Sequence, residues 1–266
     1  MLEIPCFQID AFTDRPFAGN PDAVCLLDNE PDEQWMQTVA AEMNLSETAF
    51  VRPRKDGFEL RWFTPAIEVD LCGHATLAAA HALWEQQIVA EDVPIEFHTR
   101  SGVLVCTKRE ALIELDFPAT PVTPADASVE LCDALGTAAA FVGQSRFDRL
   151  VLVDDEQTVR ALRPDFSRLR QLPVRGVIVT SASDNDQFDF ISRFFAPAAG
   201  VDEDPVTGSA HCALGPFWGD RLGKDTMSAY QASARGGEVG VRLAGDRVIL
   251  SGPAITVFSG LLIKPS

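Results

Sequence analysis

Positive charge is scarce in this 266-residue sequence: 22 Lys and Arg residues face 39 Asp and Glu residues, which gives a formal net charge of −17. A surface this acidic repels polyanions, so we expect neither nucleic acid nor an anionic membrane as a partner. No apolar run approaches the roughly 20 residues that a membrane-spanning helix needs. The N-terminal segment lacks a basic stretch followed by an apolar one, so we expect no signal peptide and a cytoplasmic location.

Metal and disulfide motifs are also missing. The six cysteines are scattered without a C-x-x-C pair, and the four histidines show no spacing typical of metal ligands. His211 and Cys212 are adjacent in the sequence, and a helix points adjacent side chains in different directions. The cysteines therefore predict free thiols in a reducing compartment, and we expect no metal ion.

What the sequence does contain is an almost wholly apolar helix, in the stretch DLCGHATLAAAHALW (Asp70–Trp84). After Gly73 nearly every position is apolar, which predicts a helix that is buried on all sides. Its first turn nevertheless carries Cys72, Gly73 and His74, at the place where backbone N–H groups have no partner within the helix.

A second stretch repeats this pattern. RFFAPAAGVDEDPVTGSAHCALGPFW (Arg193–Trp218) matches RWFTPAIEVDLCGHATLAAAHALW (Arg61–Trp84) at six positions with constant spacing, and after a three-residue insertion Gly208-Ser209-Ala210 matches Gly73-His74-Ala75. This ordered set of matches predicts two halves built on one plan.

The elements around the repeat predict an α+β fold with two pseudo-symmetric halves, each a mostly antiparallel sheet wrapped around its buried helix. A strand precedes each repeat, and a hairpin follows each helix. We place the halves at 1–118 and 119–256, and the last strand, 257–266, can return to the first half. The proline-rich segment Phe117–Ser128 is typical of a linker. Further predicted helices are Asp32–Met43, Val129–Leu135 and Asp155–Leu162.

The two helix starts are candidate anion sites, because unpaired N–H groups and the helix dipole favour negative charge there. Gly73 and Gly208 let a ligand approach the backbone. If the halves are related by pseudo-symmetry, both starts can face one cleft and hold one carboxylate. The alternative is that both glycines are turn residues and that His74 and Ser209 cap their helices.

Glu47 is the candidate acid/base, because it opens an apolar strand in the stretch MNLSETAFV. A partly buried glutamate in this place suits proton transfer, and the alternative is a solvated glutamate at a strand end. Cys72 offers a rival, a thiolate activated by the helix start and His74, although small apolar packing is its commoner role. Asp204 is either a turn former before Pro205 or a carboxylate that orients His74.

Together these strings resemble the PhzF-like family, named for a phenazine-biosynthesis isomerase. The resemblance rests on AFTDRPFAGNPDAVCLL (Ala11–Leu27), NLSETAFV, LRWFTPAIEVDLCGHATLAAA and DEDPVTGSA, and it covers most of the chain. It implies the diaminopimelate-epimerase fold, with two similar halves and the active site between them. Members are usually homodimers and need no cofactor.

The resemblance also implies roles for individual residues. Glu47 takes the place of the glutamate that moves a proton between carbons, with His74 and Asp204 assisting. The residues implied or argued above to hold substrate are Asn20, Ser46, Cys72, Gly73, Gly208 and Ser209. This chain has Cys72-Gly73-His74-Ala75 where the phenazine enzyme has Ala-Gly-His-Pro, which brings it closer to the broad PhzF-like branch.

From these residues and this resemblance we predict an isomerase without a cofactor, which moves a proton on a small carboxylate-bearing metabolite. One alternative is a non-catalytic anion-binding protein of the same fold. Another is an epimerase or racemase that uses cysteines, but Asp204 stands where the second cysteine of such a pair would be.

Overall fold

The computed structural model describes residues 2–29 and 32–264, and this part of the chain divides into two compact units. The first unit contains the chain up to Asp116 together with the chain from Ser251 onward. The second unit is Phe117–Leu250. The last strand of the chain therefore lies in the first unit.

The first unit combines one sheet with two helices. Its strands are β1 (Leu2–Ala11), β2 (Asn20–Leu26), β3 (Glu47–Arg54), β4 (Gly57–Phe63), β5 (Glu68–Val69), β6 (Ile95–Thr99), β7 (Gly102–Arg109), β8 (Leu112–Pro118) and β18 (Ala254–Lys264), and its helices are α1 (Glu33–Met43) and α2 (Gly73–Glu85).

The strands of the first unit pair in the order β18–β1–β2–β3–β4–β6–β7–β8, with β5 also paired to β4. All of these pairs are antiparallel except β2/β3 and β4/β6, which are parallel. Helix α2 packs against β1, β2, β3 and β18. Ten of its thirteen residues are buried, as predicted from its run of alanines and leucines.

The second unit has a sheet of similar plan. Its strands are β9 (Thr123–Pro124), β10 (Phe141–Gln144), β11 (Asp148–Leu152), β12 (Gly176–Ala182), β13 (Phe190–Ala196), β14 (Val201–Asp204), β15 (Thr226–Gln231), β16 (Gly237–Ala244) and β17 (Arg247–Gly252), and its helices are α3 (Val129–Leu135), α4 (Glu156–Ala161), α5 (Phe166–Leu169) and α6 (Gly208–Leu222).

Its strands pair in the order β9–β10–β11–β12–β13–β15–β16, with β14 also paired to β13. Here too only two pairs are parallel, β11/β12 and β13/β15. Helix α6 packs against β15 and β16 and buries ten of its fifteen residues. The internal pairing of the two units thus follows one scheme, and the predicted α+β fold class is confirmed.

Three local details differ from the sequence-based expectations. Helices α1 and α4 begin one residue later than predicted, because Asp32 and Asp155 are their N-caps and accept hydrogen bonds from backbone N–H groups. The segment expected to be a linker is held in the second unit, since Thr123 in β9 pairs with Gln144 in β10.

Within the described residues, no helix combines the length and the apolar character needed to cross a membrane. All six cysteines are free thiols, and five of them are buried.

Candidate active site

The start of helix α2 is built without a side-chain cap. Cys72 occupies the N-cap position with an extended backbone, at φ −143°, and its side chain makes no capping hydrogen bond. Neither glycine nor histidine caps the helix either, so the alternative in which His74 is a cap is wrong. Within the described residues, no side-chain cap therefore occupies the first-turn N–H groups, which is the condition for an anion to bind there.

Two parallel strands bring two carboxylates to this helix start. Asp22 on β2 and Glu47 on β3 are direct register partners. Side chains alternate between the faces of a strand, so Asn20 lies on the same face of β2 as Asp22. Asp22 and Asn20 are fully buried, whereas the Glu47 side chain is 16% exposed. Glu47 is therefore the carboxylate of this pair that solvent can reach.

His74 lies between the two carboxylates. Its Nδ1 atom is 2.8 Å and 3.0 Å from the two carboxylate oxygens of Asp22. Its Nε2 atom is 3.2 Å from Oε2 of Glu47 and 3.3 Å from Sγ of Cys72. Asp22 therefore fixes the ring with a proton on Nδ1, and Nε2 faces the glutamate and the thiol.

Burial and charge act in opposite directions on the pKa of His74. Burial lowers this pKa, but the neighbouring carboxylates, Asp22 first and then Glu47, raise it, and the pKa of His74 lies well above its usual value. Burial is also the largest influence on Cys72 and, together with the negative charge of Glu47, raises the pKa of its thiol to about 12. At neutral pH Cys72 is a protonated thiol, which is a poor nucleophile.

At the start of α2, sequence reasoning missed Asp22. We singled out Asn20 in the AGNP turn but not the aspartate two positions later. The available signal was a charged residue next to the apolar run Ala23–Leu27, which is the same signal that identified Glu47. Ser46 immediately precedes Glu47 and is half-buried, and within residues 2–29 and 32–264 no hydrogen bond of its side chain assigns it a role.

The start of helix α6 in the second unit contains a different arrangement. Thr207 is the N-cap and makes no side-chain cap, so Ser209 does not cap this helix either. The Thr207 hydroxyl donates to Oδ2 of Asp204 at 2.5 Å. The side chain of Gln231 accepts from the Thr207 backbone N–H at 2.9 Å and donates to the Asp204 carbonyl at 2.7 Å. Asp204 is thus tied into a hydrogen-bond network of its own unit.

Ser209 accepts a hydrogen bond from the guanidinium of Arg175, with Nη2 and Oγ 2.9 Å apart. Arg175 in turn binds both carboxylate oxygens of Asp148, which is 1% exposed. Sequence reasoning did not identify Arg175, although it is a positive charge next to the start of α6. Because Arg175 donates to the Ser209 oxygen, the hydroxyl hydrogen of Ser209 remains free to be donated.

His211 lies one turn into α6 and is fully buried. Its Nδ1 atom donates to the carbonyl of Thr207 at 2.8 Å, and Nε2 finds no hydrogen-bond partner in the described part of the chain. Burial lowers the pKa of His211 to about 4, so the ring is neutral at physiological pH. No carboxylate accompanies it, within the described residues, as Asp22 accompanies His74.

Comparisons with known proteins agree on the family. The family model for phenazine biosynthesis-like proteins matches residues 9–260. An uncharacterized isomerase from Halalkalibacterium halodurans is 53% identical over 266 residues, which cover 99% of this chain and 100% of the relative.

Solved structures give the same result. A crystal structure of a phenazine biosynthesis protein of the PhzF family from Enterococcus faecalis is 43% identical, with a TM-score of 0.95 over 99% of this chain and 100% of that chain. A probable proline racemase from Agrobacterium radiobacter shares the fold at 12% identity, with a TM-score of 0.67 over 98% of this chain and 93% of its own. The chain belongs to the family of phenazine biosynthesis-like proteins, and it is an isomerase.

Proposed function

We propose that this isomerase moves a proton between carbon atoms of a small carboxylate-bearing metabolite, with Glu47 as the general acid and base. One observation carries the proposal: Asp22, His74 and Glu47 form a continuous line of contacts at an uncapped helix start. The line ends on Glu47, the member of the three that is most exposed to solvent.

Each residue of the line has a distinct part in the proposed reaction. Asp22 holds the His74 ring, and Nε2 of the ring lies against Oε2 of Glu47 and orients its carboxylate. Glu47 removes a proton from one carbon of the substrate and delivers a proton to another, and because its side chain is partly exposed, the proton it carries exchanges with solvent between the two steps. The electron pair shifts within the substrate, and the enzyme ends the cycle unchanged.

The substrate carboxylate is proposed to bind the free N–H groups at Gly73 and His74, because a helix start attracts an anion. Asn20, Ser46 and Cys72 are proposed to contact the substrate from the same unit. Asp204, Gly208 and Ser209 keep the assisting and binding roles that the family resemblance implies. Their place in one cleft with Glu47 stays a prediction.

A solvent-deuterium screen tests this function even though the substrate is not identified. Small carboxylates are incubated with the protein in D₂O and examined by mass spectrometry for deuterium bound to carbon. We expect incorporation into one class of carboxylate with the native protein and none with Glu47→Gln, because a glutamine amide cannot cycle a proton. A ligand that binds, as detected by thermal shift, but never gains deuterium would favour the anion-binding alternative.

A further inference from the structure

We propose that Glu47, Cys72 and His74 form a reversible Zn²⁺ site, so that zinc inhibits this isomerase by occupying the proton-transfer position. One ligand atom from each of these residues lies within 4.8 Å of the other two. The zinc site itself rests only on this geometry, whereas its inhibitory consequence rests on the proposed function.

The ligand set matches the chemistry of zinc. A thiolate, an imidazole nitrogen and a carboxylate oxygen are the three ligand types that zinc takes from proteins. Zinc in tetrahedral geometry, with ligands at about 2.0–2.3 Å, separates neighbouring ligand atoms by about 3.4–3.6 Å. The distances from Nε2 of His74 to Sγ of Cys72 and Oε2 of Glu47 are 3.3 Å and 3.2 Å, a few tenths of an ångström below this separation. The third separation, between Cys72 and Glu47, is within 4.8 Å.

The surroundings of the three ligands favour a cation. Oε2 of Glu47 is buried and makes no aligned hydrogen bond within residues 2–29 and 32–264. Asp22 is fully buried and contacts Nδ1 of His74, so it fixes the tautomer in which Nε2 can coordinate. A carboxylate that orients a histidine in this way is the usual outer partner of a zinc ligand.

Zinc binding at this site is reversible and depends on pH, because the metal ion competes with protons for its ligands. Zn²⁺ takes the place of the thiol proton of Cys72 and of any proton on Nε2 of His74, and both protons pass to solvent. Three protein ligands leave the fourth zinc position to water. Bound zinc withdraws negative charge from the whole Glu47 carboxylate and lowers its basicity, so Glu47 no longer removes a proton from a substrate carbon.

Separated sequence positions explain why no metal motif is visible. Glu47 comes from the beginning of β3, whereas Cys72 and His74 flank the start of α2. Ligand spacing along the sequence therefore indicated no metal, because the packing of α2 against β2 and β3 is what brings the glutamate to the helix. The corresponding turn of α6 has Thr207, Gly208 and Ser209, which supply no thiolate, imidazole or carboxylate.

The test uses Zn²⁺ and Co²⁺ alone on the chelator-treated full chain. Zinc is titrated in competition with a chromogenic chelator, and Co²⁺ is used to detect the near-ultraviolet charge-transfer band of a cobalt–thiolate bond. We expect one zinc per chain and a thiolate band in the native protein. Cys72→Ser should lose the band, and Asp22→Asn should bind zinc about 10–100-fold more weakly.

Cys212→Ala is the matched control, because Cys212 is also a buried free thiol close to the start of a buried helix. It should bind zinc as the native protein does, and circular dichroism checks that each variant is folded. A Co²⁺ complex without a thiolate band, or equal zinc affinity in the native protein and in folded Cys72→Ser, overturns the site.

Inhibition is then measured separately. Zinc should stop deuterium incorporation and a chelator should restore it. Full incorporation with zinc bound overturns the inhibitory role, and it leaves the proposed isomerisation supported. Absence of incorporation under every condition counts against the proposed function, while the zinc titration is still interpretable.

Discussion

The starts of helices α2 and α6 share one backbone plan and differ in the groups around them. In both units a buried aspartate lies near the beginning of the first strand of a parallel pair: Asp22 on β2 is opposite Glu47 on β3, and Asp148 on β11 is opposite Gly176 on β12. Each aspartate holds a basic side chain at the helix start. Asp22 holds His74 of α2 itself, whereas Asp148 holds Arg175, which binds Ser209 of α6.

The position of Glu47 marks the chemical difference between the units. Its counterpart by strand pairing is Gly176, where a Cβ atom would lie 2.4 Å from the Phe194 ring and 3.2 Å from Oδ1 of Asp148. The second unit therefore has no space for an acid at this position. The repeat supplies the same scaffold twice, and only the first unit has a carboxylate opposite the aspartate in this strand pair.

The largest expected effect concerns the proposed acid/base. Glu47→Gln should lower turnover by about 10²–10⁴-fold, because general acid–base catalysis contributes about that much. Cys72→Ala, its matched control, should keep most of the activity, since the thiol is protonated. Turnover rates of the two variants, measured once a substrate is found, decide between a glutamate and a cysteine as the base. Loss of turnover in Cys72→Ala but not in Glu47→Gln would falsify the glutamate mechanism.

The second prediction contrasts the two helix-start histidines through pH. His211 has a folded-state pKa of about 4, against about 6.5 when unfolded. The unfolded chain therefore binds one more proton as the pH falls from about 6.5 to about 4, and stability is lost over that range. Each pKa unit corresponds to about 1.4 kcal/mol, so His211 accounts for a loss of about 3 kcal/mol.

His211→Gln should flatten this part of the stability curve, because glutamine does not titrate. Urea unfolding at pH 7, 6, 5 and 4.5 measures the slope, and His98→Gln, at a half-buried position, provides the comparison. An unchanged slope in His211→Gln would show that the pKa of His211 is the same in the folded and the unfolded chain and that the contrast with His74 is wrong.

The sequence predicted the buried helix and the internal repeat, but it did not predict which side chains contact one another at the helix starts. The buried helix Gly73–Glu85 was predictable because its apolar run is continuous, and the repeat was readable because matches keep their spacing. Asp22 and Arg175 were missed because each acts through a residue that is distant in sequence: His74 lies 52 positions from Asp22, and Ser209 lies 34 positions from Arg175. Such pairs are created by strand pairing, which local patterns do not reveal.

The third prediction tests the aspartate–arginine pair of the second unit. Arg175→Ala leaves the buried Asp148 carboxylate without its bidentate partner, which should destabilise the chain by about 2 kcal/mol. This value is below that for a fully buried pair, since the Arg175 side chain is 40% exposed and water can replace part of the contact. Arg175→Lys should recover only part of the loss, because an ammonium cannot bind both oxygens in the same geometry. Urea unfolding gives the free energy of unfolding of the native protein, Arg175→Ala and Arg175→Lys. If Arg175→Ala were as stable as the native protein, the pair would have no structural role.

The smallest effect is expected for Ser209→Ala, and its smallness is informative. The Ser209 hydroxyl accepts from Arg175, but Arg175 keeps both bonds to Asp148 when the hydroxyl is removed. The loss is one hydrogen bond at a partly exposed guanidinium, so unfolding free energy should fall by less than about 1 kcal/mol. A hydroxyl that adds so little to stability, and whose hydrogen is free to be donated, is available for a ligand.

Urea unfolding of Ser209→Ala, Arg175→Ala and the double variant separates the contributions of the two side chains to the free energy of unfolding. A loss in Ser209→Ala as large as that in Arg175→Ala would mean that the hydroxyl holds the helix start in place, and the proposal that it binds substrate would lose its support.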